Sequence, residues 1–458
     1  MLRTSDSRLS AAFDWARRQA LAYALTGDPV GDWYEAALPG REAFCMRDTA
    51  HQSAGAHFLG LNGQTRNMLR KFAQNISDSK DWCSFWEINR YNLPAPADYQ
   101  DDTKFWYNLP ANFDILDACY RMYLLTGDST YIDDPVFLNF YRRTVHDYVQ
   151  RWDLSTDRIM ARQRIMNIRG HPDPANRLQR NRGIPSYDEG DPNFTVAIDQ
   201  LAAQYAGYVA YARIAQIRGK TDEAEEFLAQ ASALKALVNS AWWDSKSGSY
   251  YSRLNLDHQL EGHDLSQSLL YYGAAEDGAK SSSVLRSVMD RITKKNLVGI
   301  ENQSYLPEIL YKFGESEASY EQILDLTAED KVRREYPEVS YSVLGAIVSG
   351  LMGITVEAAE QITTISRLTP ATPWAELTHV MLRRNEIRVR HDGLTKSLLE
   401  NVSGPALIWE ACFSGRSTHL LVDRKPASAQ SVERYGQVQS CATLPVGSGD
   451  SKVVQAVE

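Results

Sequence analysis

Cysteine is scarce in this sequence of 458 residues, and its five copies lie far apart, at Cys45, Cys83, Cys119, Cys412 and Cys441. No two of them form a C-x-x-C pair, so neither a structural zinc site nor a thiol redox motif is indicated. Few, odd and widely spaced cysteines favour free thiols over a disulfide framework. We therefore expect all five to be unpaired.

Long apolar runs and excess positive charge are also lacking. No run reaches the roughly 18 apolar residues of a transmembrane helix, and the first residues lack the apolar centre of a secretion signal. The net charge of −9 argues against nucleic-acid binding by bulk electrostatics. We expect a cytoplasmic protein, or a secreted or periplasmic one if a leader has been removed, with neither nucleic acid nor membrane as a partner.

Short glycine turns recur along the chain, at Gly63, Gly127, Gly219, Gly273, Gly314 and Gly353. They alternate with long segments rich in carboxylates and aromatics, at about 28–48, 77–110, 153–193, 241–262, 293–302 and 328–338. Alternating short and long connections sort onto opposite ends of helical hairpins. The pattern therefore gathers the long loops on one face.

Apolar spacing and stop signals predict the helices. The predicted pairs are 49–60 with 64–76, 111–125 with 135–151, 194–217 with 221–240, 264–272 with 278–292 and 303–312 with 316–327. A sixth inner helix begins at about Glu338, with a short return helix near 355–363, and an opening helix at 9–25 completes the ring. The first helix of a pair is apolar on several sides, as buried helices are, whereas its partner carries a charged face.

This pattern predicts an all-α (α/α)6 toroid over residues 1–372, with an ordinary helical solenoid as the alternative. After Pro373, alternation in NEIRVRHDG and SGPALIWEACFSG predicts a small antiparallel β region over residues 373–458.

The long loops hold the candidate binding residues. In the second loop, aromatic faces beside acids suit a sugar, although the tryptophans could equally pin the loop. In the first loop, an acid at a helix start can bind substrate or simply cap the helix. The candidates are Arg47, Asp48, His51, Gln52, Trp82, Trp86, Glu87, Asp102, Trp106, Asn108, Tyr187 and Glu301. The spacing of the histidines predicts no metal pair, and no organic cofactor is expected.

Candidate catalytic carboxyls occur in the third and sixth loops. Asp188 and Glu189 lie close to Asp191, and crowded carboxyls raise one another's pKa. Glu335 and Glu338 flank a proline at the start of the last inner helix. The alternatives are a turn with a helix cap in the third loop and a first-turn glutamate in the sixth.

An arginine-rich run fills residues 158–183, with Arg158, Arg162, Arg164, Arg169, Arg177, Arg180 and Arg182. Such a run suits an anionic sugar such as a uronate, or an acidic surface or a second subunit.

Three segments, CMRDTAHQSAGAHFLGL, FWYNLPANFDILDACYRMYLLTGD and YPEVSYSVLGAIVSGLMGI, resemble those of the six-hairpin glycoside hydrolases, a group that includes α-L-rhamnosidases, trehalases and glucoamylases. HDGLTKSLLEN is similar to the β segment after the rhamnosidase toroid, and the resemblance covers about residues 30–400. It implies inversion, with Glu189 or Asp188 as acid and Glu335 or Glu338 as base. The rhamnosidase acid loop matches Arg47-Asp48, but its acid-Arg-x-Gly-Trp continuation is missing, so Asp48 is expected first as a substrate binder and second as the acid.

These observations predict an exo-acting, inverting glycoside hydrolase acting on an oligosaccharide or polysaccharide. Two alternatives stay open. One is a polysaccharide lyase with Tyr187 or His171 as base, and the other is a sugar-binding protein without catalysis.

Overall fold

The computed structural model describes residues 1–163, 182–188, 194–264, 266–295, 299–358 and 361–457. The helices are α1 Ser7–Ala22, α2 Met46–Phe58, α3 Asn62–Gln74, α4 Ala111–Thr126, α5 Thr130–Asp133, α6 Pro135–Arg143, α7 Val149–Arg151, α8 Ile198–Ile217, α9 Thr221–Ser240, α10 Gln267–Tyr271, α11 Ala279–Thr293, α12 Ile300–Ser304, α13 Leu306–Lys312, α14 Ser316–Leu326 and α15 Pro337–Gly345. A π-helical segment, Thr144–Tyr148, joins α6 to α7, and another, Ala346–Leu351, extends α15.

The strands are β1 Leu2–Thr4, β2 Ala24–Asp28, β3 Gly31–Tyr34, β4 Ala43–Cys45, β5 Glu87–Asn89, β6 Tyr99–Asp101, β7 Lys104–Phe105, β8 Tyr107–Asn108, β9 Arg182–Ile184, β10 Phe194–Ala197, β11 Trp243–Asp244, β12 Ser249–Tyr250, β13 Arg253–Asn255, β14 Leu260–Glu261, β15 Thr355–Ala358, β16 Gln361–Ile365, β17 Trp374–Leu382, β18 Asn385–Asp392, β19 Lys396–Ser403, β20 Leu407–Ser414, β21 His419–Val422, β22 Lys425–Ser428, β23 Gln430–Arg434, β24 Gln437–Val446 and β25 Ser451–Ala456.

The helices form an inner ring and an outer layer. Helix α2 packs on α4, α4 on α8, α8 on α10, and α15 on α12, α13 and α2. The outer helices include α3, α9, α11 and α14, and α1 packs on α15, as predicted. Helix α8 is buried on nearly all sides because its residues are mostly small or apolar.

Glycines allow the inner helices to approach closely. A Cβ atom built on Gly55 would lie 2.0 Å from the carbonyl oxygen of Tyr341, on α15. One on Gly207 would lie 2.7 Å from the ring of Phe113, on α4. At these crossings the closeness of the packing requires the absence of a side chain.

The two ends of the ring differ. Long connections with short strand pairs, such as β4 with β5 and β8 with β9, lead into the amino ends of the inner helices. At the opposite end, the C-terminal sheets cover the carboxyl ends of these helices: Nε2 of His57 lies 2.8 Å from the carbonyl oxygen of Met381, and that of His391 lies 3.0 Å from the carbonyl oxygen of Met352. The sheets thus cover one end and leave the long-loop end for a site.

The β region is larger than predicted. A seven-stranded sheet has the order β1-β17-β18-β19-β25-β21-β22 and a five-stranded sheet the order β15-β16-β20-β24-β23, in which β16 and β20 are parallel. The predicted return helix at 355–363 is wrong, because β15 and β16 occupy this stretch. The label all-α is therefore too narrow for the whole chain.

The cysteine prediction is partly wrong. Cys412 and Cys441 lie directly opposite each other on β20 and β24 and form a disulfide. Cys45, Cys83 and Cys119 are free and buried, as predicted. In the described part of the chain, no helix combines the length and apolarity needed to cross a membrane.

Candidate active site

Several helices carry an acid in their first turn at the long-loop end: Asp48 in α2, Asp114 in α4, Asp199 in α8, Glu301 in α12 and Glu338 in α15. The positive end of the helix dipole favours a carboxylate at this position. Because these helices surround the centre, the ring gathers carboxyls from distant parts of the sequence. Sequence reasoning missed Asp114 and Asp199, although their place at the start of an inner helix was a usable signal.

Two adjoining cavities lie among these groups. The first, here called the tyrosine cavity, has a volume of about 420 Å³ and is lined by Arg47, His51, Tyr187, Asp188, Asp199, Asp264, Gln267, Ser268, Tyr271, Tyr272, Arg291, Asn302 and Tyr305. The second, the tryptophan cavity, has about 350 Å³ and is lined by Ala37, Leu38, Arg41, Cys45, Arg47, Asp48, Trp86, Glu87, Tyr187, Glu301, Asn302, Arg333 and Tyr336. Arg47, Tyr187 and Asn302 belong to both, so the cavities share a wall.

Arg47 and Asp48 form part of that wall. Nε and Nη2 of Arg47 each lie 3.0 Å from Oδ1 of Asp48, and the Tyr336 hydroxyl donates to Oδ2 at 2.6 Å. The Arg47 guanidinium lies 5.5 Å from the centre of the Tyr187 ring. Both oxygens of Asp48 are therefore engaged, and the arginine face is held against the tyrosine.

His51 connects the tyrosine cavity to Glu338. Its Nδ1 lies 3.2 Å from Oε1 of Glu338, which is fully buried. Burial lowers the pKa of His51 to about 4, and burial, followed by the charge of Asp48, raises the pKa of Glu338 well above its usual range. Near neutral pH His51 is thus uncharged, and a hydrogen bond joins its ring to the Glu338 carboxyl.

Asp114 holds two tyrosines of the cavity. The Tyr272 hydroxyl donates to Oδ1 at 2.5 Å, and the Tyr187 hydroxyl donates to Oδ2. Burial raises the pKa of Asp114, and burial together with Asp114 raises the pKa of both tyrosines well above their usual range. The tyrosines therefore stay protonated and fixed in orientation.

Asp199 anchors the segment that carries Tyr187 and Asp188. It accepts hydrogen bonds from the Ser186 hydroxyl at 2.9 Å and the Tyr187 amide at 2.7 Å. Burial raises its pKa to about 6. Asp188 itself lies 3.2 Å from Nη2 of Arg253, with a quarter of its side chain exposed.

Apart from Glu338, which is buried behind His51, six of the described predicted residues do not line the cavities. Trp106 and Asn108 are buried and bind each other at 2.8 Å, and Asn108 also donates to the carbonyl oxygen of Ser186. Their burial leaves no surface for a sugar, so they support the Tyr187 segment instead.

The other four lie apart for different reasons. Trp82 stacks under Arg143, Asp102 accepts from Tyr99 at 2.6 Å, and Gln52 is fully buried in α2. Glu335 is exposed, whereas Glu338, three residues later, is buried. Three residues of separation around a proline turn one carboxyl inward and the other outward.

Three arginines of the arginine-rich run lie within the described residues. Arg158 pairs with Asp153, Arg162 donates to the carbonyl oxygens of Trp152 and Thr195, and Arg182 pairs with Asp81. These three are tied into the protein and do not line the cavities. Glu189, Asp191, His171, Arg164, Arg169, Arg177 and Arg180 lie outside the described residues.

Comparison with solved structures gives several likenesses across most of the chain. An α-L-rhamnosidase from Dictyoglumus thermophilum matches with a TM-score of 0.66 and 12% identity, over 100% of this chain and 50% of that one. A GH78 family rhamnosidase of Bacillus sp. GL1 matches with a TM-score of 0.58 and 14% identity, over 87% and 40%. An α-L-rhamnosidase from Aspergillus terreus matches with a TM-score of 0.56 and 14% identity, over 97% and 50%.

The chain has the six-hairpin glycosidase fold. At these identities the likeness shows the fold alone, and the chain spans half or less of the length of these three proteins. No family model matches the sequence, and no curated protein does. The predicted six-hairpin toroid is thereby confirmed as a fold, whereas activity and substrate have to be argued from the site.

Proposed function

We propose that this chain is a glycoside hydrolase whose site spans the two cavities. The observation that supports this is the coexistence of two kinds of carboxyl beside aromatic rings. Burial raises the pKa of one kind, which comprises Glu87, Asp114, Asp199 and Glu338. The other kind lies in salt bridges with arginine and comprises Asp48, Asp188 and Glu301.

Hydrolysis of a glycosidic bond uses one group of each kind, a proton donor and a carboxylate that activates water. Among the salt-bridged carboxylates, Asp188 lines the tyrosine cavity and is the most exposed. We assign it as the base, although the sequence placed it on the acid side, because it lines the cavity and forms a salt bridge with Arg253. Glu338, predicted as a base, is buried behind His51 and fits a positioning role.

The finer course of the reaction belongs to the same proposal. The resemblance to inverting enzymes supports inversion and exo-action on an oligosaccharide or polysaccharide. Arg291 supports an anionic sugar: it lines the tyrosine cavity and donates to the carbonyl oxygen of Asp264 at 3.0 Å and to Oε1 of Gln267 at 3.2 Å. Within the described chain it forms no salt bridge, so a uronate could supply the missing negative charge.

The lyase alternative loses support at Tyr187. A lyase base has to accept a proton, but the Tyr187 hydroxyl donates to Asp114 and its pKa is raised well above the usual value. His171, the other base considered, lies outside the described residues.

The proposal is tested with a panel of 4-nitrophenyl glycosides, including an α-L-rhamnoside and uronides, together with uronate-containing oligosaccharides. We expect release of nitrophenol or new reducing ends from at least one member. A product with new ultraviolet absorbance from a double bond would show a lyase instead. Thermal stabilisation by a saccharide without any cleavage would show a binding protein. Either of the last two results overturns the proposal.

A further inference from the structure

Two buried carboxyls share one guanidinium at the edge of the tryptophan cavity. Nε of Arg41 lies 3.1 Å from Oε1 of Glu87, and Nη2 of Arg41 lies 2.9 Å from Oδ2 of Asp98. Glu87 is 3% exposed and Asp98 is 2% exposed. The three side chains therefore form one closed cluster with two acids and one base.

This cluster has to hold a proton. A single arginine neutralises one carboxylate, and a second buried carboxylate without a partner is costly. Oδ2 of Asp98 faces Arg41, whereas Oδ1 of Asp98 is buried and has no hydrogen-bond partner in the described part of the chain, which favours a proton within the cluster. In agreement, burial and then the charge of Asp98 raise the pKa of Glu87 to about 8.

Backbone hydrogen bonds fix the position of Glu87 at the edge of the tryptophan cavity. Glu87 pairs with Cys45 in the β4–β5 ladder, and its carbonyl oxygen accepts from the Ala95 amide at 2.9 Å. The Met46 amide donates to the carbonyl oxygen of Trp86 at 3.0 Å. The strand that carries Glu87 is thus fixed to the start of α2, beside Arg47 and Asp48.

Glu87 and the proposed base, Asp188, lie in the two adjoining cavities. Glu87 and Trp86 line the tryptophan cavity, and Asp188 lines the tyrosine cavity. Tyr187 belongs to both, and its ring centre lies 6.3 Å from that of Trp86. A substrate across the shared wall would place its terminal sugar among the tyrosines, its leaving group against Trp86 and its glycosidic oxygen near Tyr187.

We propose that Glu87 is the general acid that protonates the leaving oxygen, and that Asp98 is a positioning residue that keeps it protonated. The inference rests on the proposed function. As the C1–O bond breaks, the Glu87 proton passes to the leaving oxygen. Water forms the new bond to C1 and gives its proton to Asp188, so that Glu87 ends as a carboxylate and Asp188 as an acid.

Other charged groups face Glu87. Asp48 and Arg47 approach from α2, and Glu301 with Arg333 lies across the same cavity. The negative charge of Asp48 acts in the same direction as Asp98 and further raises the pKa of Glu87, whereas Arg41 lowers it.

The first test compares leaving groups. On the sugar identified with the panel, Glu87→Gln should lose about 100-fold or more in kcat/KM with an unactivated phenyl glycoside, the usual size of an acid contribution. With a 2,4-dinitrophenyl glycoside, which leaves without protonation, the loss should be under about tenfold. Equal losses on both substrates would overturn the assignment.

The second test uses the pH dependence of kcat/KM and does not depend on the folding of Glu87→Gln. In Asp98→Asn the neighbouring charge is gone, so the pKa of Glu87 falls and the alkaline limb of activity moves to lower pH. Asp101→Asn, on the same loop, should leave the limb unchanged. An unmoved limb in Asp98→Asn would overturn the proposal.

The two proposals fail in different ways. An inactive wild type on the whole panel removes the glycosidase function itself. An active wild type whose variants keep the normal leaving-group and pH dependence removes only the role of Glu87.

Discussion

Glu87 couples the proposed chemistry to stability. Its pKa is raised to about 8 in the folded protein, against about 4.3 for an unperturbed glutamate. A raised pKa in the folded state gives a contribution to stability that is complete below the unfolded-state pKa and is lost as the pH rises through the folded-state value.

We therefore expect the free energy of unfolding of the wild type to fall relative to that of Glu87→Gln as the pH rises from about 5 to about 8. Glutamine keeps the shape of the neutral acid but cannot lose a proton. Urea unfolding of both proteins across this range measures the difference, and Asp199 cancels because both proteins contain it. A difference that stays constant with pH would contradict the buried, protonated Glu87.

Residues near the site could be predicted where a loop has a distinctive composition. They could not be predicted where the direction of the side chain determines whether it faces a cavity or the core. Acids and aromatics in the first two loops indicated Asp48, Trp86 and Glu87, which line a cavity. Trp106, in the same loop, has the same composition around it but turns into the core. Sequence alone does not give the direction of a side chain in an irregular loop, and the roles themselves remain predictions.

Helix crossings supply a prediction at the scale of elements. At Gly55, an added Cβ would meet the α15 backbone at 2.0 Å, and backbone cannot move aside as a side chain can. Gly55→Ala should therefore lower the free energy of unfolding by about 1–3 kcal/mol or more. Gly63→Ala is the matched control, because Gly63 lies in α3 with no atom within 4 Å of the new Cβ.

The control substitution should raise the free energy of unfolding instead of lowering it. Alanine is a better helix former than glycine, by about 0.5–1 kcal/mol, so Gly63→Ala should stabilise the protein. Denaturant unfolding of both variants checks the pair. A Gly55→Ala protein as stable as Gly63→Ala would mean that α2 and α15 do not cross as closely as described.

Long helices could be predicted from their periodic pattern of apolar residues. Strands that pair with residues distant in sequence could not. Helices such as α8 and α9 show their faces in sequence. The stretch at 355–365 contains alanines and glutamates that favour a helix, yet β16 pairs in parallel with β20, and the Thr363 hydroxyl donates to Glu410 at 2.8 Å. Tertiary pairing overrode local propensity. The Cys412–Cys441 disulfide was not predicted either, because it depends on the register in which β20 and β24 pair.

The ring and the sheets form one body. A single hydrophobic cluster includes Leu344 of the ring and Val389 and Trp409 of the two sheets. The backbone amide of Arg383 also donates to the carbonyl oxygen of Leu125 at 2.6 Å.

One cooperative thermal transition is therefore expected in calorimetry, with equal calorimetric and van't Hoff enthalpies. His391→Ala removes the link to Met352 and should lower the midpoint without splitting the transition, whereas His419→Ala, on an exposed strand position, should leave it in place. Two separate transitions in the wild type would contradict the single body.

The overall architecture was easier to predict than single elements or residues. The alternation of short turn and long loop occurs six times, so an error in one predicted helix does not change the predicted fold. The three-residue strand Leu2–Thr4, which joins the C-terminal sheet through β17, was not predictable since it is too short to show a period. The division at residue 372 therefore remains a proposal about folding units.

The most direct test of the central claim is the initial rate of glycosidic cleavage by wild type, Asp188→Asn and Glu335→Gln on the same substrate. The account predicts a loss of about 100-fold or more for Asp188→Asn, since a base is removed. It predicts a rate within about twofold of wild type for Glu335→Gln, which lies outside both cavities. Full activity in Asp188→Asn, or no cleavage by the wild type, would contradict it.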